Sequence, residues 1–161
     1  GEGISCDVGS RTATVKGEDR SSELTALLGT DQVQLALVAD GHGGAGAAEL
    51  VQSGLLKGLA NEAAGDGSAA NLARAAEASF AKVSHEVNRL NIGAGCTLNV
   101  VAFNATRRVL TCANVGDSLA LLVHADGHLW MSTDHRLSNN ADERDRIIGC
   151  GGLLAQAQNK D

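Results

Sequence analysis

A chain with no proline in 161 positions must make every turn and end every helix with Gly, Asn, Asp or Ser, and its twenty glycines become the punctuation by which it is read. The clearest loop is NEAAGDGSAAN, Asn61 to Asn71, which is small, polar and interrupted by glycine. It parts two helical patterns. Ala47, Val51, Leu55 and Leu59 recur every four residues before it, and Leu72, Ala76, Phe80, Val83, Val87 and Leu90 form an apolar stripe after it. Ser68 or Asn71 supplies the cap of the second helix, and its stripe is read as core packing. QVQLALVAD, Gln32 to Asp40, ends in the continuous apolar run of a buried strand. TLNVVAFN and RVLTCANVG flank the short polar turn ATRR as a hairpin, and SLALLVHA and HLWMST flank Asp126-Gly127 as another. NNADERDRIIGCGG predicts a short helix capped at Asn139 or Asn140 and stopped by Gly149 to Gly152. Strand, helix pair and antiparallel meander make an α+β chain rather than an alternating βαβ one. With no internal repeat and no long linker, residues 1–161 are expected to form a single domain.

The core must be aliphatic, because hydrophobic residues are 43% of the chain and aromatic ones 2%. No apolar stretch approaches the roughly 20 residues that span a bilayer, so no membrane partner is expected. The opening GEGISCDVG has neither the basic region nor the apolar run of a signal peptide, which points to an intracellular protein, cytoplasmic or nuclear. A net charge of −6 argues against nucleic acid, whose phosphates need clustered Lys and Arg. Cys6, Cys96, Cys112 and Cys150 form no Cys-x-x-Cys pair, so reduced thiols are expected, some of them in the core, rather than a zinc site.

Two short stretches carry chemistry. Gly116-Asp117-Ser118-Leu119 matches the signature of an esterase family whose serine is the nucleophile. That chemistry needs a helix directly after the serine and an Asp-x-x-His downstream. Here Ser118 runs into an alternating strand pattern, and Asp134 and His135 are adjacent. The second stretch is VADGHGG, with Asp40 closing a buried strand, Gly41 free of a side chain, then His42 and a helix. A carboxylate and a backbone carbonyl together are hard ligands suited to Mg²⁺ or Mn²⁺, a helix N-terminus favours an anion, and a histidine can protonate a leaving group. From these residues alone, a glycine-rich turn with a surface histidine is an equal reading.

VADGHGG, GCT (Gly95 to Thr97), ANVGDS (Ala113 to Ser118), TDHRLS (Thr133 to Ser138) and ERDRIIGCGG (Glu143 to Gly152) stand in one order along the chain, with KGEDR (Lys16 to Arg20) ahead of them. In that order and with similar spacing they resemble the metal-dependent serine/threonine protein phosphatases of type 2C. The resemblance implies a four-layer α-β-β-α sandwich of mainly antiparallel sheets, with two metal ions in a cleft at one end. It implies a hydrolase that cleaves phosphoserine and phosphothreonine in phosphorylated protein substrates by direct attack of a metal-activated water, as signalling phosphatases do. By residue, it makes Asp40 the bridge between two Mg²⁺ or Mn²⁺ ions and gives the carbonyl of Gly41 to one of them. Glu18 and Asp19 hold metal-bound waters or a metal, His42 is the general acid, and Asp117 contributes to a third, weaker site. Ser118 keeps a modest hydrogen-bonding role.

Two departures stand against the family pattern. The phosphate-gripping arginine is expected just before the Glu-Asp pair, where this chain has Arg11 at a greater distance and Lys16 nearby; Arg11 is favoured, since a guanidinium holds two phosphate oxygens and lysine only one. The family also carries an Asp-Gly and an Asp-Asn pair beyond the point where this sequence stops. The chain is therefore expected to be the N-terminal part of a larger catalytic domain. A catalytically inactive phosphatase-like binding module is the alternative, and the serine esterase is the remote one.

Overall fold

A computed structural model of the chain describes residues 6–11 and 16–155; the first five residues of the opening stretch, residues 12–15 and the segment 156–161 lie outside it. Its centre is a four-stranded antiparallel sheet in the order β1-β2-β5-β6, made by β1 (Arg20–Leu28), β2 (Asp31–Ala39), β5 (Leu98–Asn104) and β6 (Val109–Val115). Two small ladders stand apart: β3 (Gly41–His42) pairs with β4 (Gly95–Cys96), and β7 (Leu121–Val123) pairs with β8 (Leu129–Met131). The helices are α1 (Gly46–Glu62), α2 (Ala69–Arg89) and α3 (Ala141–Gly149).

The two expected hairpins and all three expected helices are present. Ser68 caps α2 by accepting from the Asn71 N–H, and Asn140 caps α3 by accepting from the Glu143 N–H. β1 adds a strand ahead of the first one expected. Period-two alternation sends Val33, Leu35, Leu37 and Ala39 of β2, with Leu98, Val100 and Ala102 of β5, to one face of the sheet. There they meet Val51, Leu55 and Leu59 of α1 and Leu72, Ala75 and Ala76 of α2. Burying each large aliphatic side chain of this set contributes about 1.5–3 kcal/mol. The small alanines let helices and sheet approach closely without aromatic bulk.

The buried strand expected over Gln32 to Asp40 is β2, and it is buried on one face. Its other face is open, with Val38 54% exposed, because among the described residues both long helices pack on the same side of the sheet. The helix layer and the sheet beneath it are thus two of the layers of a mixed, mainly antiparallel sandwich. All four cysteines are free; Cys96 packs against the core, Cys112 is half-buried, and Cys6 and Cys150 are exposed.

At the end of the sheet where β2 begins, buried Asp31 is answered in full. Its Oδ2 accepts from Arg107 Nε at 2.5 Å and from the Gly67 N–H at 3.2 Å. Arg107 reaches on to Asp66 at 3.0 Å, and Asn104 joins its own Oδ1 to the Arg107 N–H and its Nδ2 to the Gly67 carbonyl. One guanidinium and one amide thereby tie the β5–β6 turn to the loop between the helices.

Candidate active site

The opposite end of the sheet gathers the residues singled out by sequence, and strand register is the reason. The pairs Arg20↔Ala39, Val38↔Asn99 and Leu98↔Val115 close the three ladders. Continued outward, by one step in the outer ladders and two in the β2–β5 ladder, these registers line up Asp19, Asp40, Thr97 and Gly116 across the sheet end. The Thr97 N–H donates to the Asp40 carbonyl at 2.9 Å, as that alignment requires. Asp117 follows Gly116 in the turn after β6.

The carboxyls of Asp19 and Asp40 meet in a hydrogen bond, and Asp40 is pushed above the ordinary carboxylate range. Partial burial is the largest cause, followed by the charge and hydrogen bond of Asp19 and then the charge of Asp117; His42 pulls the other way. Asp40 is solvent-exposed as a residue, so its neighbours are the informative part: it faces two like charges. Asp117 has a cationic partner in Arg136, whose segment is also fixed by the His135 N–H on the Gly116 carbonyl at 3.1 Å. Arg11, Asp19, Asp40 and Ser118 line one open cleft of about 470 Å³, and Lys16 is not among its walls.

Gly41 is buried at the start of the β3–β4 ladder, where a Cβ would lie 2.4 Å from the Glu18 carbonyl oxygen, so only glycine lets the two segments meet. His42 is exposed, and its ring sits against Gly95, where an added Cβ would stand 2.4 Å from Nε2. Glu18 turns toward α1: its Oε1 accepts from the Gly44 N–H at 2.7 Å, supplying an acceptor just ahead of a helix whose own cap, Ala45, offers none. Sequence reasoning missed Arg20. Its guanidinium donates to the carbonyls of Gly17 at 2.8 Å and Asp19 at 2.7 Å and pairs with Glu49 at 2.6 Å, which folds the backbone that presents Asp19. An arginine directly after the Glu-Asp pair was the available signal.

Ser118 bonds Thr97, Oγ to Oγ1, at 2.5 Å, and the chain after it leads to strand β7 rather than into a helix. A serine nucleophile needs a general base on its hydroxyl, and this hydroxyl bonds another hydroxyl. The Cys96 thiol is pushed up by burial and by the charge of Asp40.

The donor chemistry at Asp19, Asp40 and Asp117 is all oxygen and excessively negative, which suits a hard divalent cation. Among the described residues no three His, Cys, Asp or Glu side chains close around a common point.

Comparison with known proteins identifies the family. The family model described as Protein phosphatase 2C matches residues 8–160. Probable protein phosphatase 2C 32 of Oryza sativa subsp. japonica is 31% identical over 154 residues, 94% of this chain and 38% of that protein. Probable protein phosphatase 2C 25 of Arabidopsis thaliana is 32% identical over 161 residues, 96% of this chain and 38% of that one. The chain thus spans well under half the length of these relatives. Among solved structures, a C. elegans sex determining protein superposes with a TM-score of 0.69 at 20% identity, over 90% of this chain and 37% of that one. The S. agalactiae serine/threonine phosphatase superposes at 0.59 and 22% identity, over 92% and 59%. These two share the fold.

Proposed function

The chain belongs to the protein phosphatase 2C family, and from that premise we propose that the protein removes phosphate from phosphoserine and phosphothreonine side chains of other proteins, with Mg²⁺ or Mn²⁺ as its cofactor. The observation that carries this reading is the meeting of Asp19 and Asp40, with Asp117 near them, in a cleft that also receives Arg11. Carboxylates in water avoid one another, and a fold that brings Asp19 and Asp117 to Asp40 is arranged for a cation.

In this reading Asp40, Asp19 and the Gly41 carbonyl bind the ions, and Glu18 orients the turn that carries Gly41 and His42. Bound divalent cations supply charge neutralisation for the phosphate oxygens and a lowered pKa for an attacking water. Arg11 grips two phosphate oxygens with its planar fork and sets the phosphorus in line for attack. His42 gives a proton to the serine or threonine oxygen as the ester bond breaks, so that an alcohol rather than an alkoxide leaves. Asp117 holds a further cation in exchange for Arg136. The 161 residues form the first part of one catalytic domain, and no step calls for nucleic acid or a membrane.

One observation favours a second reading, a phosphatase-like binding module without catalysis: the described side chains alone do not close around an ion. The test assays a phosphothreonine peptide and p-nitrophenyl phosphate with the full-length protein, in Mn²⁺ and in EDTA. Chelator-sensitive turnover supports the phosphatase, and turnover indifferent to EDTA contradicts it. Absence of turnover with absence of Mn²⁺ binding by calorimetry selects the inert module.

A further inference from the structure

The row across the sheet end holds two carboxylate-bearing segments that repel each other, the Asp40 end of β2 and the Gly116–Asp117 turn, and Thr97 stands between them. Its N–H donates to the Asp40 carbonyl at 2.9 Å, and its Oγ1 lies 3.4 Å from the Asp40 N–H. The same Oγ1 bonds Ser118 Oγ at 2.5 Å, and the Ser118 carbonyl accepts from Asn99 Nδ2 at 3.4 Å. The Thr97 methyl fills the space over Gly116, whose φ of +81° favours glycine and where a Cβ would stand 2.9 Å from Cγ2. One hydroxyl has a single proton and two lone pairs, enough to accept from one side and bond the other. We propose that Thr97 is a positioning residue, whose hydroxyl fixes the separation of Asp40 from the Asp117–Ser118 turn and thereby sets how tightly the Asp117 side of the cleft binds a divalent cation. This rests on the reading of the cleft as a cation site.

The side chain divides the work in a way that variants can separate. Val keeps the methyl and loses the bond; Ser keeps the bond and loses the methyl. Mn²⁺ is titrated calorimetrically into the full-length protein, and the Asp117-dependent event is identified as the one lost in Asp117→Asn. Thr97→Val weakens that event about tenfold, the 1.4 kcal/mol expected of one lost hydrogen bond, and Thr97→Ser stays within about twofold of wild type. Ser118→Ala reproduces the Val result from the other end of the bond and carries the test if Thr97→Val does not fold. The proposal is overturned if Thr97→Val and Ser118→Ala bind Mn²⁺ like wild type while Asp117→Asn does not, or if Thr97→Ser is as weak as Thr97→Val. Wild-type Mn²⁺ binding in Asp40→Asn and Asp117→Asn together removes the cation site itself, a different failure from that of Thr97 alone.

Discussion

Strand β2 has an aspartate at each end, and the two are treated in opposite ways. Asp31 opens the strand, buried to 4% exposure, and receives Arg107 and the Gly67 N–H. Asp40 follows the strand's last residue, open to solvent, and receives Asp19 and the charge of Asp117. The contrast extends to their neighbours. Asp66, beside Asp31, is held below the ordinary range by the Ser68 hydroxyl and N–H, with Arg107 adding to the effect, whereas Asp40 is pushed above it. One end satisfies its charges internally and closes the fold. The other sets Asp19 and Asp117 against Asp40, the charge pattern that the proposed cation would answer. Local electrostatic frustration of this kind marks a working site, since natural sequences resolve such conflicts wherever nothing needs them.

The widest separation between the ends is expected in activity. Asp40→Asn should lower kcat on a phosphothreonine peptide by at least about 100-fold, the scale of losing one preorganised electrostatic partner, while Asp31→Asn leaves kcat per folded molecule within about twofold. A large loss from Asp31→Asn in folded protein would erase the distinction. His42→Ala should also lower kcat about 100-fold, with Mn²⁺ affinity in calorimetry unchanged, because a proton donor acts on the substrate and not on the ions. Stability should show the reverse order. Arg107→Ala leaves Asp31 buried without its cation and should cost about 3 kcal/mol in urea unfolding, whereas Asp19→Asn should leave the metal-free protein as stable as before or more so. Equal destabilisation by both would mean that the two ends do the same job.

The smallest effect is in pH. A carboxyl whose folded pKa lies above its unfolded value binds its proton more tightly in the folded chain, so its contribution to stability falls as pH rises from the ordinary value of 3.8 through the raised one. Metal-free Asp40→Asn should therefore gain on wild type above that window, with the gap closing as pH drops below it. Asp66, with its lowered value, behaves oppositely: its stabilisation is complete above 3.8 and is lost as pH falls through the lower value. Urea titrations at several pH values, with Asp66→Asn alongside, separate the two slopes.

Much of this was legible in the sequence, and the exceptions have physical causes. Helices α1 and α2 announced themselves because their apolar spacing is helical over about three turns or more, and Asp126-Gly127 specified its hairpin locally. β1 was silent. Ser21, Ser22 and Thr25 dilute its pattern and Leu27, 73% exposed, breaks the alternation, because the strand is defined by its pairing with β2 and not by its own burial. Asp40, His42 and Asp117 stood out by motif. The family resemblance put Asp19 with Asp40 in one cleft, but no local pattern did, since their meeting depends on the register Arg20↔Ala39, a property of two strands at once. The roles of Arg107 and Arg136 were hidden for the same reason. Each guanidinium finds its partner through a turn or across a sheet end, and no local pattern records a contact seventy-six residues apart such as Arg107 with Asp31.

The most direct measurement is the shift in unfolding temperature on adding Mn²⁺ to the full-length wild-type protein, Asp31→Asn and Asp40→Asn. A ligand present at one hundred times its dissociation constant stabilises the folded state by about 2.7 kcal/mol. Wild type and Asp31→Asn should both show the corresponding upward shift, the latter from a lower starting point, and Asp40→Asn should show almost none. A full shift in Asp40→Asn would contradict the assignment of this end of β2 to cation binding.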